Sequence, residues 1–154
     1  LKEKRPKLPL SQEEKRMLRK EKVKLSDLYK LKLEEMTDIL GITHERAKML
    51  KGLASFQRVP SIGYELAYKL VHHLGYNSLN EIKDESWYEV FDSLEQKLEC
   101  WTDSCVEDQI ICIIHYANHP ESEKQWFDFT AERKRYREQH GYPTSRPKVA
   151  WNEK

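Results

Sequence analysis

Slid along itself by twenty residues, this chain repeats a turn and the helix that follows it. "ILGITHERAKML" (39–50) then lies over "VPSIGYELAYKL" (59–70). Ile39 falls on Val59, Ile42 on Ile62, Glu45 on Glu65, Ala47 on Ala67 and Leu50 on Leu70. Each copy brings an apolar residue into a turn, an Ile within it, and an Ala and a Leu onto a helix face. The turn residues match as well as the apolar stripe, so the echo reads as a repeated structural unit. A helix from Thr43 to Phe56 then serves both units, closing one helix pair and opening the next. A chain organised this way packs helices in antiparallel neighbours.

The rest of the chain agrees. Ser11 followed by Glu14 is a capping box, as are Ser78 with Glu81 and Ser86 with Glu89. Leu28, Leu31, Met36, Ile39 and Leu40 predict a helix ending at Gly41. Leu66, Ala67, Leu70, Val71 and Leu74 predict one closed by a left-handed Gly75. Trp87, Val90, Phe91, Leu94 and Leu98 line another helix. The segment from Val106 to Asn118 is apolar on most sides and is expected at the centre of the core. Strand signals are scarce, and the expected fold class is all-α, in one domain. Residues 26–129 are its helical body, with the hairpin at about 43–84. Residues 1–25 read as a basic arm with a surface helix, and 130–154 as a basic tail. Residues 1–9 carry two prolines and are expected to be mobile. Met17, Leu18, Val23 and Leu25 look too sparse to bury much.

The formal net charge of +1 hides a pattern. Residues 1–25 hold ten Lys/Arg against four Asp/Glu, and 125–154 hold seven against four. Between them, 57–124 hold five basic and thirteen acidic residues. Basic arms around an acidic centre fit contact of the arms with a polyanion, and equally fit merely solvated ends. No apolar leader precedes residue 25, and the longest apolar run, "IICIIHYA", is too short to span a bilayer. The three cysteines fit a reducing compartment better than a disulfide scaffold. The expectation is a cytoplasmic protein with no membrane contact.

The stretch "VPSIG", the preceding Ala-x-x-L-x-x-L-A-x-F-Q helix, the Cys-x4-Cys pair and "WFDF" together resemble a known family. It comprises small bacterial helix-hairpin-helix proteins labelled "pathogenicity locus" or "mitomycin resistance", and the likeness covers about 33–129. The resemblance implies a non-sequence-specific DNA-binding protein with a place in DNA repair or damage resistance. In such hairpins the backbone N–H groups of the turn bond phosphate oxygens at the positive end of a helix. Carried to this chain, the donors are the N–H groups of Ile62, Gly63 and Tyr64, with the Ser61 hydroxyl. Arg58, Lys69 and Lys51 are the neighbouring cations. Arm residues Lys2, Lys4, Arg5 and Lys7, and tail residues Arg133, Lys134, Arg135 and Arg137, would add affinity, with Tyr136 and Tyr142 available to stack. Four neutralised phosphates would give a salt slope of about −3.6. Two departures stand against the motif: Ser61 replaces its first glycine, and Glu65 sits on the first helical turn. In the upstream copy Gly41 is kept and Thr43 replaces the second glycine, which makes that copy structural.

Two other readings stand beside this one. The hairpin can be a corner in a protein-interaction module whose arms meet an acidic protein partner. Alternatively Cys100 and Cys105 form a thiol redox pair, with Cys105 activated by a helix start. Cys112, His115 and His119 share a helix face at zinc-ligand types, yet without a second Cys pair, so no metal and no cofactor is expected. No Ser-His-Asp spacing, phosphate-binding loop or H-E-x-x-H motif occurs, and no catalytic residue is named.

Overall fold

The computed structural model describes residues 4–154, so Lys2 of the basic arm lies outside it. The described residues are all-helical. α1 (Gln12–Lys20) is followed by a 3₁₀ segment (Leu25–Lys30), α2 (Leu33–Leu40), α3 (His44–Phe56) and α4 (Tyr64–Tyr68). A wide π turn (Lys69–His73) extends α4, and α5 (Leu79–Ile82), α6 (Trp87–Leu98) and α7 (Ser104–Asn118) follow. A second 3₁₀ turn (Trp126–Phe129) leads into α8 (Thr130–His140).

The punctuation residues do what their chemistry predicts. Gly41 closes α2 at φ +65°, and Gly75 stands at φ +76° after the π turn. Thr43 caps α3 by accepting the Arg46 N–H, and Ser78 caps α5 by accepting that of Glu81. The Ser86 capping box does not form: Glu89 N–H goes to the Ser86 carbonyl instead of its hydroxyl. The helix expected over 26–40 is broken at Leu31, whose freed carbonyl accepts the Lys51 ammonium at 2.6 Å. That bond removes Lys51 from the set of phosphate partners. The helix expected from Leu66 to Leu74 widens into the π turn. Gly75 N–H closes on Val71 as in an ordinary left-handed cap, whereas Tyr76 N–H reaches Leu70, one residue wider than in a Schellman cap.

Two hydrophobic clusters share α3. Leu53 and Phe56 join Ile62, Leu70, Phe91, Leu94, Ile110 and Ile113 in the larger one. Ala47, Leu50 and Ala54 join Leu18, Leu28, Met36 and Leu40 in the smaller. The central helix is therefore α3 as much as α7. Gly52 lies where α3 meets the 75–78 loop, and an added Cβ would stand 3.1 Å from Asn77 Cα. The N-terminal residues are part of this packing. Leu18 is buried, and Leu8, Leu10, Met17, Val23 and Leu25 lie against the smaller cluster.

The Ser11 capping box is complete, and its Glu14 has a second task. Ser11 Oγ accepts the Glu14 N–H at 3.1 Å, and Glu14 accepts the Ser11 N–H at 2.8 Å. The buried Glu14 carboxylate also accepts Arg46 Nε and Nη2 at 2.6 and 2.8 Å. The Arg46 hydrogen bonds hold its pKa down at about 2. A depressed carboxylate stabilises the fold above the unfolded pKa of about 4.3 and loses that contribution as pH falls toward the folded value. Glu14→Gln will therefore be less stable than wild type at pH 6, and the urea midpoints will converge between pH 5 and 2. Parallel midpoints over that window would show that the pair contributes nothing.

The C-terminal segment is woven into the fold through arginines. Glu95, Glu107 and Asp108 of α6 and α7 are all buried. Buried carboxylates require partners, and these come from beyond residue 130. Arg133 donates to Asp108 at 2.9 Å, Arg137 to Glu107 at 2.7 Å, and Arg146 to Glu95 at 2.8 Å. Tyr142 O–H donates to Glu107 at 2.6 Å, and Tyr136 stacks on Tyr88 at 4.2 Å. An isolated parallel bridge ties Trp101 to Ala150. Arg133, Arg137, Tyr136 and Tyr142 are thus occupied within the protein, not free to meet a nucleic acid. Lys134 and Arg135 remain exposed.

Candidate nucleic-acid interface

The turn between α3 and α4 is held by internal hydrogen bonds at most of its polar groups. Ser61 stands at φ +67°, matching Gly41 in the upstream copy. A serine bears this left-handed conformation at a cost, and its hydroxyl helps hold it there. Ser61 Oγ accepts the Trp126 N–H at 2.9 Å and donates to the Pro60 carbonyl. It is therefore not the phosphate donor expected of it. Ile62 is fully buried and its N–H donates to Val59 O at 3.1 Å, so that donor is also withdrawn. Gly63 has φ −107°, so it is not required by a left-handed backbone. An added Cβ there would meet nothing within 4 Å.

The two copies of the repeat differ at this point. In the first, the Thr43 hydroxyl fills the start of α3. In the second, no side chain caps α4. Among the described residues the N–H groups of Gly63 and Tyr64 meet no acceptor. Replacement of a capping threonine by glycine leaves the second turn open.

The expected mobile arm is instead strapped across this turn. Lys4 Nζ donates to Val59 O at 2.9 Å and Ile62 O at 2.8 Å. Burial pushes the Lys4 ammonium below its ordinary pKa. Gln57, buried at the end of α3, accepts the Lys7 N–H at 2.9 Å and donates to the Lys7 carbonyl at 2.8 Å. Pro6 is buried and Leu8 packs on the core. Sequence reasoning treated these residues as a loose charge run. The usable signal was the alternation of prolines and leucines among the cations, which marks an extended docked strap.

Two adjoining clefts result. One, of about 370 Å³, is lined by Lys4, Arg5, Lys7 and the 61–64 turn. The next, of about 450 Å³, is lined by Lys7, Gly63, Tyr64, Glu65, Lys69 and Gln109, among others. Lys7, Gly63 and Tyr64 belong to both, so the clefts form one groove with Gly63 on its floor. Arg58 is not in it. Its guanidinium lies 3.7 Å over the Tyr29 ring and lines a neighbouring cleft with Glu121 and Glu123, on the other side of Lys4 from the groove. Of the expected partners, the fold brings Gly63, Tyr64 and Lys69 together, and adds Arg5 and Lys7.

The sulfur groups point elsewhere. Cys100 and Cys112 are buried, and all three cysteines are free thiols. Burial and the Asp103 carboxylate push Cys105 above its ordinary pKa, the reverse of the expected activation. Burial raises Cys112 to about 11. His115 and His119 lie tilted against each other with ring centres 4.6 Å apart, whereas Cys112 Sγ faces the Pro60 and Lys124 carbonyls. Among the described residues no three His, Cys, Asp or Glu side chains converge to hold a metal ion. No described helix is long and apolar enough to cross a membrane.

These features define an all-helical protein with a basic groove at an interhelical turn. The chain belongs to the pathogenicity-locus family, whose model matches residues 49–135. The match takes in α4 to α7 and most of α3, and so includes the turn at Ser61–Tyr64. It stops before Arg137, Tyr142 and Arg146. No curated protein and no solved structure matches the chain.

Proposed function

We propose that this protein binds DNA through its phosphate backbone, without reading sequence, in the groove around Gly63. The observation that carries this reading is the convergence of Arg5, Lys7 and Lys69 on an unobstructed Gly63 with unbonded N–H groups beside it. Cations and backbone N–H groups are the usual partners of phosphate oxygens, and such contacts position a protein without specifying bases. Glu65 lines the same groove and opposes this, so phosphate sits toward Lys7 and Arg5. Affinity in the range of non-specific binding, about 10⁻⁴–10⁻⁶ M at physiological salt, is expected. A place in DNA repair or damage resistance rests on the family resemblance.

Gly63→Glu tests this directly. The new side chain enters open space, so the fold is retained, while its carboxylate occupies the phosphate position. Binding to a fluorescent 20-base-pair duplex should weaken about tenfold or more, equivalent to at least about 1.4 kcal/mol. Lys69→Glu should act in the same direction. Unaltered binding in both variants would sink the proposal.

A further inference from the structure

The groove does not end at Gly63. Beyond it, Tyr64, Tyr68 and His72 recur at every fourth residue and so climb one face of α4 and its π extension. Their rings form a ladder, with centroids 6.0 Å apart for Tyr64–Tyr68 and 4.2 Å for Tyr68–His72. Tyr64 is anchored against the core, whereas Tyr68 is 40% exposed. A shallow depression of about 340 Å³ over the Tyr64–Tyr68 part of the ladder is lined by these two rings with Glu65, Lys69 and His73, and His72 continues the ladder beyond it. It shares Tyr64 and Lys69 with the basic groove. The inward side of α4 is served by Leu66 and Ala67, so Tyr68 packs against its ladder neighbours and leaves ring surface open to solvent.

Resting on the DNA-binding reading above, we infer that the strand bound in the groove is single-stranded, with its bases stacked on the Tyr64–Tyr68–His72 ladder. A cationic track beside aromatic faces is how proteins hold single strands without sequence preference. The bases of a duplex are stacked on each other and unavailable to Tyr68, so a groove for duplex alone gains nothing from these rings. Lys69 lies between the two parts and connects backbone to base contact. The acidic residue on this surface, Glu65, lines both the groove and the depression and disfavours a second phosphate row there, which again suits one strand better than two.

Binding of fluorescent dT20, an abasic strand of the same length and a 20-base-pair duplex, at one salt concentration, tests this. Wild type should prefer dT20 to the abasic strand by about tenfold or more, since each stacked base contributes a factor of that order. Tyr68→Ala should lower dT20 affinity about tenfold and leave duplex and abasic affinities unchanged, while Tyr68→Phe keeps wild-type behaviour. Tyr68 is a surface position, and far-UV circular dichroism will verify that the variants are folded. Equal binding of dT20 and the abasic strand, or indifference of dT20 to Tyr68→Ala, overturns the single-strand inference. If duplex binding still responds to Gly63→Glu, the DNA-binding reading survives that outcome. If no nucleic acid binds, both fall.

Discussion

Arg137→Ala will lower the free energy of unfolding by about 3–5 kcal/mol, the usual cost of removing one partner from a buried ion pair. The arginine side chain is only 8% exposed and Glu107 is completely buried. Arg137 Nε donates to Glu107 at 2.7 Å, Nη2 to Asp92 at 3.2 Å, and Nη1 to the Gly141 carbonyl at 3.0 Å. Its guanidinium also lies 4.1 Å from the Tyr142 ring centre. Truncation leaves Glu107 with the Tyr142 hydroxyl as its one remaining partner. Against a typical domain stability of about 5–15 kcal/mol, that is a large fraction. Arg137→Lys will also destabilise, because a point charge cannot serve three acceptors in a fixed fork. In Arg137→Met with Glu107→Gln, the fully buried Glu107 charge is removed along with its partner and the partly exposed Asp92 alone loses its ion pair, so much of the loss should be recovered. Urea titration of the three variants measures this. A loss under about 1 kcal/mol for Arg137→Ala would show that water substitutes freely for the arginine.

Raising salt from 50 to 200 mM will weaken duplex binding about 40-fold. Four neutralised phosphates are expected from the sequence, but the fold withdraws Lys51, Arg133 and Arg137 and ties Lys4 to carbonyl groups. Arg5, Lys7 and Lys69 remain at the groove. Three neutralised phosphates correspond to a log–log slope of about −2.7, at about −0.9 for each. Lys7→Gln should bring the slope to about −1.8. Lys134→Gln with Arg135→Gln should leave it unchanged, because those residues are exposed positions of α8, outside the groove lining. A slope near zero would refute phosphate contact, and a slope insensitive to Lys7 would place the contact elsewhere.

Both predictions turn on the difference between charge along a chain and charge in a fold. The basic ends and acidic centre were correctly counted from the sequence, and their complementarity is partly internal. Arg133, Arg137 and Arg146 neutralise Asp108, Glu107 and Glu95 across 25 to 51 residues of chain. Nothing local marks such pairs, because each residue is ordinary for an exposed helix until another segment covers it. The same is true of the arm. Lys4 reaches the Ile62 carbonyl across 58 residues, and Gln57 clasps Lys7 across 50. The candidate site was legible only in part for this reason. Gly63, Tyr64 and Lys69 lie close in sequence and were found together, whereas Arg5 and Lys7 were found only as members of a charge run.

What the sequence determined by itself was local. Side-chain caps at Ser11, Thr43 and Ser78, glycines at 41 and 75, and helical spacing of apolar residues define α-helices over short range. The repeated turn was equally visible, and the structure adds that the aligned residues Gly41 and Ser61 are both left-handed. The tertiary structure decided which turn is open. Thr43 fills its own helix start through a bond three residues long, while Ser61 is turned away by a backbone N–H arriving from Trp126. The groove at Gly63 exists because long-range hydrogen bonds occupy the serine and the arm, and no rule of local spacing contains them.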